Sequence, residues 1–303
     1  MDIKDLKNKY LEYLEIERGR AQKTLENYGR YLNRFLKFAK IDSVEDLSED
    51  LIRQYRIYLN RIKDKDGDSL KKVTQNYHII ALRTFLKYLA KIGVKTFPAE
   101  KVELGKQEER QVSFLELDEL DRLLKAPEGN SLDSFRDRSI LSVLFSTGMR
   151  VSELCSLNRD EMDINRGEIS IRGKGSKLRL VFLSENSKRL LSDYLSKRSD
   201  VDDALFIRIL KTKTYSKDDE LRLTPRSIQR IVRKYSIKAG IVGKKVSPHT
   251  IRHSYATDLL RNGADIRSVQ AMLGHSSVTT TQIYTHVTDK QLREVHQKFH
   301  NKK

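Results

Sequence analysis

An almost continuous helical pattern from Ile3 to about residue 92, followed by a polar break that holds a proline, limits the folds open to this chain more than any other feature. Apolar residues three and four positions apart fall on one face of a helix. Ile3, Leu6, Tyr10 and Tyr13/Leu14 form one such stripe, and Leu25, Tyr28, Leu32 and Phe35/Leu36 form a second. SEDLIRQYRIYLNRI opens at Ser48 and continues through Leu51, Tyr55 and Leu59. After the polar turn KDKDGDS, the run VTQNYHIIALRTFLKYLAKIG makes a fourth helix ending near Gly93. Thr24 is the expected N-cap of the second helix. Four amphipathic helices on short connections imply a bundle. The stretch 94–112, VKTFPAEKVELGKQEERQV, carries Pro98, Gly105 and a charge cluster, which marks a linker. The expected division is a helical domain over 1–93, a linker over 94–112 with its boundary near 105, and a second domain over 113–303.

Beyond the linker the pattern changes. SFLELDELDRLLKA offers Ser113 as an N-cap with Glu116 three residues on, the spacing of a capping box. FRDRSILSVLFSTG reads as a helix stopped by Gly148, and GEISIRGKGSKLRLVFL alternates apolar and polar residues around a glycine-rich turn, as a β-hairpin does. Helical patterns return at TPRSIQRIV and persist to the end. The fold class expected is mainly α with a small β-sheet: an N-terminal helical bundle and a C-terminal α+β domain.

Charge narrows the partner. Lys plus Arg number 59 against 42 Asp plus Glu, a formal net charge of +17. Such a surplus favours a polyanion, most simply nucleic acid, because each phosphate contact releases counterions. Cys155 is the single cysteine, which excludes an intramolecular disulfide and a cysteine-rich zinc site. The first residues lack the apolar core of a signal peptide, and no apolar run has the length of a membrane span. A cytoplasmic protein without a membrane partner is expected.

HTIRHSYATDLL, from His249 to Leu260, sets two histidines one turn apart with an arginine between them. A zinc peptidase needs a glutamate beside the first histidine to activate water, and position 250 is Thr. The arginine also repels a cation, so no metal is expected. Pro248 and Ser247 mark a helix start, and Arg252 then lies one turn from His249 on the same face. An imidazole and a guanidinium fork there suit a phosphate. Arg150 in STGMRVSELCSL follows a glycine-stopped helix, Lys174 lies in the hairpin turn RGKGSKLR, and LGHSSVTTTQIYTHV carries His275 and Tyr284. Together these make a metal-free phosphoryl-transfer set. Spacing alone does not choose Tyr284 over Tyr255, which lies nearer the histidine–arginine unit.

GMRVSEL, the hairpin lysine, SPHTIRHSYAT and LGHSSVTTTQIYTHV, in this order, resemble the tyrosine site-specific recombinases of the phage integrase family, and the ending is most similar to the Xer branch. The N-terminal bundle is similar to that family's SAM-like core-binding domain. The resemblance implies a catalytic domain in which Tyr284 attacks the scissile DNA phosphate, forming a 3′-phosphotyrosyl bond and releasing a 5′-hydroxyl. Arg150 and Arg252 would hold the non-bridging oxygens, His249 would act as acid and base, and His275 would donate a further bond. Lys174 would protonate the leaving oxygen, with Lys177 as the alternative. Glu153 matches an acidic position that orients the cationic groups; an ordinary surface glutamate is the competing reading. No cofactor is implied, because the phosphotyrosine retains the bond energy.

The implied partners are double-stranded DNA with a palindromic recombination site, a homo- or hetero-tetramer on two such sites, and an accessory protein in some systems. Basic side chains of the bundle, Arg20, Lys23, Arg30, Arg34, Lys71, Lys72, Arg83 and Lys87, are candidates for the DNA surface, as is Lys177. The tail from about residue 288 places Leu292, Val295 and Phe299 on one stripe, suited to docking on a neighbouring protomer or packing within its own chain. Xer-like resolution of chromosome or plasmid dimers is the leading expectation. The basic stretch 208–225 is longer than a minimal Xer protein needs, which keeps a mobile-element integrase or transposon recombinase in view. A type IB topoisomerase would share the chemistry as a monomer, and a DNA-binding regulator would have lost the catalytic set.

Overall fold

The computed structural model describes residues 2–63, 67–106, 113–172, 178–210 and 220–274. The chain divides into two compact units, Met1–Glu109 and Arg110–Lys303.

The first unit contains α1 (Ile3–Ile16), α2 (Gln22–Ala39), α3 (Glu49–Arg61) and α4 (Lys72–Lys91), with 3₁₀ turns at Val44–Asp46 and Ala99–Lys101. The periodic stripes form its core: Ile3, Leu6 and Tyr10 of α1 meet Leu32 and Phe35 of α2, Tyr55 and Leu59 of α3, and Leu82, Phe85 and Leu89 of α4. Burying a side chain of this size contributes about 1.5–3 kcal/mol, so the apolar spacing itself supplies the driving force. Ser48 caps α3 by accepting the Leu51 N–H at 3.2 Å. The cap expected at Thr24 is corrected. Helix α2 starts at Gln22 behind Ala21, and the Thr24 N–H donates to the Ala21 carbonyl at 2.7 Å, so its backbone already has a partner. At the far end Asn76, buried on α4, donates to the Gly105 carbonyl at 2.8 Å and accepts the Gly105 N–H at 3.0 Å. One amide thereby pins the linker at Gly105 to the first unit. His78 is buried beside it, with Nδ1 3.1 Å from the Tyr55 hydroxyl. Burial, then Arg34 and Arg30, push its imidazole down to about 4.

The second unit contains α5 (Leu117–Lys125), α6 (Leu132–Thr147), α7 (Val151–Ser156), strands β1 (Met162–Asp163), β2 (Glu168–Arg172) and β3 (Leu178–Phe182), then α8 (Glu185–Leu195), α9 (Pro225–Lys238), α10 (Pro248–Arg261) and α11 (Ile266–Leu273). Helix α6 is buried on nearly every side, with Ile140, Leu141, Val143 and Leu144 all in the core, as a central helix must be. The strands form an antiparallel sheet in the order β1-β2-β3, with Ile169 opposite Val181. The expected hairpin is therefore present, with a short third strand added. In β3 the alternation runs in an unexpected sense. Leu178, Leu180 and Phe182 face outward, and Arg179 and Val181 face in.

The capping box expected at Ser113 is also corrected. Helix α5 begins one turn later, where the Glu116 N–H donates to Glu119 Oε2 at 2.9 Å. The reason lies in tertiary packing. Leu115 is buried and its N–H is taken by the Ser254 hydroxyl of α10 at 2.8 Å, which holds 113–116 out of the helix. Among the described residues no helix is long and apolar enough to cross a membrane.

Candidate active site

Helix α10 starts where the sequence suggested. Ser247 caps it by accepting the Thr250 N–H at 3.3 Å, and Pro248 fills the first turn, where its missing N–H costs nothing. His249 is exposed at this end, and Arg252 lies one turn on, buried with only 4% of its surface exposed. The Arg252 guanidinium donates from Nη1 to the Gly148 carbonyl at 2.7 Å and from Nη2 to the Leu273 carbonyl at 2.6 Å. Both acceptors stand at helix ends closed by left-handed glycines, Gly148 after α6 and Gly274 after α11. Carbonyls at helix C-termini carry partial negative charge, which offsets the desolvation of the buried cation.

Arg150 takes the N-cap position of α7, two residues after Gly148. Its Nη1 donates to Glu153 Oε1 at 2.9 Å, its backbone N–H to Glu153 Oε2 at 2.7 Å, and its Nη2 to the Gly274 carbonyl at 3.0 Å. The two guanidinium groups are thus anchored on the adjacent carbonyls of Leu273 and Gly274. Two guanidinium groups held this closely are suited to the two non-bridging oxygens of a phosphate.

Gly148 cannot be replaced without movement. Its φ is +57°, and a Cβ there would stand 2.2 Å from Cδ1 of Tyr255. That ring is packed edge-on to Phe145, and its hydroxyl points to the Met272 sulfur at 3.7 Å. Burial raises the Tyr255 phenol above its ordinary value, against the attraction of Arg179 and Arg252. Tyr255 is therefore a packing residue under the glycine turn and poorly suited to ionise.

Electrostatics sets the protonation of the remaining groups. Desolvation first, then Arg252 and Arg150, hold the His249 imidazole below its ordinary value, so it is neutral at pH 7. His253, one turn on, is pushed down to about 4 by burial, His249 and Arg252. Burial alone would raise the Glu153 carboxyl, but Arg179, the Arg150 N–H and the Arg150 guanidinium outweigh it and hold the acid ionised.

Of the residues singled out in the sequence, Arg150, Glu153, His249 and Arg252 are brought together. Lys174, Lys177, His275, Tyr284 and the tail stripe Leu292, Val295 and Phe299 lie outside the described residues. The basic side chains of the first unit do not share one site. Arg20 and Lys87 line a cleft with Arg18 and Lys91, whereas Lys72 lines another with Arg53, Arg56 and Arg61. Lys23 pairs with Glu26 at 2.7 Å, and Arg30 donates to Asn27 at 2.8 Å. Arg34 and Arg83 are half-buried, and Lys71 stands exposed at the start of α4.

Two features escaped the sequence reading. Arg179, on the inward face of β3, binds Glu153 through both nitrogens of its fork, at 2.9 and 2.7 Å. An arginine in phase with a buried valine two residues on is the signal that was available. The second is a basic cleft of 840 Å³ on α9 and the following loop, lined by Arg226, Arg230, Arg233, Lys244 and Lys245 and reaching Ser247. The three arginines recur at i, i+4 and i+7, so the spacing in PRSIQRIVRK already placed them on one face.

Residues 113–291 match the phage integrase family, and residues 8–93 match its N-terminal SAM-like domain. A tyrosine recombinase XerC of Thermodesulfovibrio yellowstonii is 35% identical over 292 residues, 96% of this chain and 94% of that one. A tyrosine recombinase XerD of Oceanobacillus iheyensis is 36% identical over 301 residues, 96% of each chain. The crystal structure of XerA recombinase superposes with a TM-score of 0.53 at 32% identity, covering 99% of both chains. That of XerH site-specific recombinase on its palindromic difH substrate gives 0.72 at 24% identity, over 92% of this chain and 80% of that one, and so bears on the fold. With these matches spanning both units, the chain belongs to the phage integrase family, as a tyrosine recombinase.

Proposed function

We propose that this protein is a site-specific DNA recombinase that cuts and reseals strands through a covalent bond to Tyr284. The Tyr284 oxygen attacks the scissile phosphorus and the 5′-oxygen of the next nucleotide leaves, so one phosphodiester is exchanged for another. Arg150 and Arg252 hold the non-bridging oxygens as charge builds on them. His249, neutral at pH 7, accepts the phenolic proton; an unperturbed phenol titrates near pH 10 and needs that help. Lys174 supplies a proton to the leaving oxygen, with Lys177, three residues on in the sequence, as the alternative, and His275 adds a donor to the phosphate. The observation that carries this reading is the convergence of the Arg150 and Arg252 guanidiniums on the adjacent carbonyls of Leu273 and Gly274, with His249 on the same helix as Arg252.

Arg226, Arg230 and Arg233 serve as contacts to the DNA backbone on the catalytic unit, complementing the basic clefts of the first unit. The division of labour is a DNA-gripping unit over 1–93, a linker over 94–112 and a catalytic unit over 113–303. The working assembly is a tetramer on two palindromic sites, in the cytoplasm where the chromosome lies. Resolution of chromosome or plasmid dimers, the role suggested by the Xer names of its relatives, is the favoured biological task.

A duplex nicked beside the scissile phosphate tests this reading, because the short fragment diffuses away and traps the covalent adduct. Wild-type protein should form an adduct on a denaturing gel, with or without EDTA, and Tyr284→Phe should form none. Arg252→Ala should slow adduct formation by about 10²–10³, the usual cost of losing one preorganised donor. An adduct from Tyr284→Phe, or activity lost in EDTA and restored by magnesium, would overturn the mechanism.

A further inference from the structure

Strand β3 supplies a side chain to which the sequence assigned no role, the arginine that ends RGKGSKLR. The Arg179 side chain is 11% exposed and that of Glu153 8%, so the pair is almost wholly out of water. The Arg179 fork donates to both Glu153 oxygens, at 2.9 and 2.7 Å, and its Nε donates to the Met272 carbonyl at 3.2 Å. Glu153 in turn holds Arg150, whose own fork ends on the Gly274 carbonyl. The chain of contacts therefore closes: β3 to α7, α7 to the end of α11, and the end of α11 back to β3. Gly274 shows how tightly it closes, since a Cβ there would lie 2.9 Å from Nη1 and 3.0 Å from Cδ of Arg179.

We propose that Arg179 is a positioning residue for strand cleavage, acting through Glu153 to fix where the Arg150 guanidinium points. The proposal rests on the reading of Arg150 as a phosphate-binding group. A buried carboxylate with one cationic partner would draw that partner into its own fork-to-fork pairing. Here Arg179 takes the fork-to-fork pairing with both Glu153 oxygens, which leaves Arg150 with a single side-chain bond to the acid while its other terminal nitrogen reaches the Gly274 carbonyl. The same residue ties three segments together. It follows Lys177 by two positions in the sequence, it binds the acid beside Arg150, and it grips the end of α11 at the Met272 carbonyl. Lysine cannot substitute, because one ammonium does not span two carboxylate oxygens and a carbonyl in the plane of a fork.

The test is a double-mutant cycle on the full chain, reading the single-turnover rate of adduct formation on the nicked duplex. Arg179→Lys should slow cleavage roughly 10- to 100-fold, the scale of a misplaced catalytic group, with duplex affinity within about twofold of wild type. In an Arg150→Ala background the same change should cost less than about threefold, because the group it positions is gone. If Arg179→Lys prevents folding, Glu153→Gln keeps the side-chain shape, runs the same cycle and carries the same expectation. A full, additive loss in the Arg150→Ala background, or a wild-type rate for Arg179→Lys, would overturn the proposal and leave the phosphate reading intact. An Arg150→Ala protein that cleaves at the wild-type rate would instead bring down that reading, and this one with it.

Discussion

Arg252 lies almost out of water, and yet its two outer nitrogens point to helix-end carbonyls that hold it in register with Arg150. A cation treated this way is preorganised: its ordering cost is met during folding, and it need not reorient when charge develops on a bound phosphate. His249 follows the opposite logic, exposed but discharged. Its imidazole lies below its ordinary value, so the neutral ring persists as pH falls past 6.5, and on the proposed mechanism proton acceptance fails only at lower pH. The cleavage rate should therefore show an acid limb below pH 6.5, and His249→Gln should be slow throughout and lack that limb. A limb centred at or above 6.5 would contradict the assignment. These residues were legible in the sequence because helical spacing fixes which side chains share a face. Arg179 was not. Leu178, Leu180 and Phe182 looked like the core face of the strand, and only its packing in the fold reveals that Arg179 and Val181 turn inward.

Helix ends, more than helix bodies, decide how the elements meet the site. Ser48 and Ser247 cap where the sequence placed them, accepting the Leu51 and Thr250 N–H groups three residues on. Thr24 does not, because α2 has already started at Gln22, and Ser113 does not, because the Ser254 hydroxyl of α10 takes the Leu115 N–H. Contacts from distant residues are invisible to local patterns. Gly148 gives a direct test. Gly148→Ala adds a strained φ and a Cβ inside the Tyr255 ring, and should destabilise the protein by at least about 2 kcal/mol in denaturant titration. Gly263→Ala, with φ +94° and open space around it, should cost only the backbone strain, about 1–2 kcal/mol. In the bundle, α4 carries an acid-sensitive point. The folded value of His78, about 4, lies below that of a free imidazole, so the neutral ring stabilises the fold. That contribution is complete above pH 6.5 and disappears as pH falls toward 4, about 3 kcal/mol in all. Protection factors in α4, the exchange rates divided into the intrinsic rate at each pH, should fall over this window, and less so in His78→Gln.

At the level of the whole molecule the charge surplus becomes a measurable salt dependence. The logarithm of the DNA association constant should fall linearly with the logarithm of salt concentration. Replacing Arg226, Arg230 or Arg233 with Gln should lower that slope by about one each if each meets a phosphate, and leave it unchanged if they only coat α9. The broad plan was readable from the sequence, since a helical first unit, a polar break and a second unit with one hairpin follow from periodicity and breakers. The α9 cleft was missed because its arginines are ordinary one at a time and become a site only when helix and loop close together.

The solitary thiol has a practical outcome. Cys155 is half-buried on α7, and burial pushes its pKa up to about 11, against the pull of Arg222. At neutral pH it carries on the order of a hundredfold less thiolate than an unhindered cysteine. A maleimide dye should therefore ignore the native chain and mark whichever surface position is mutated to cysteine. Fluorescence could then count protomers and follow synapsis without first stripping the protein of its own sulfhydryl.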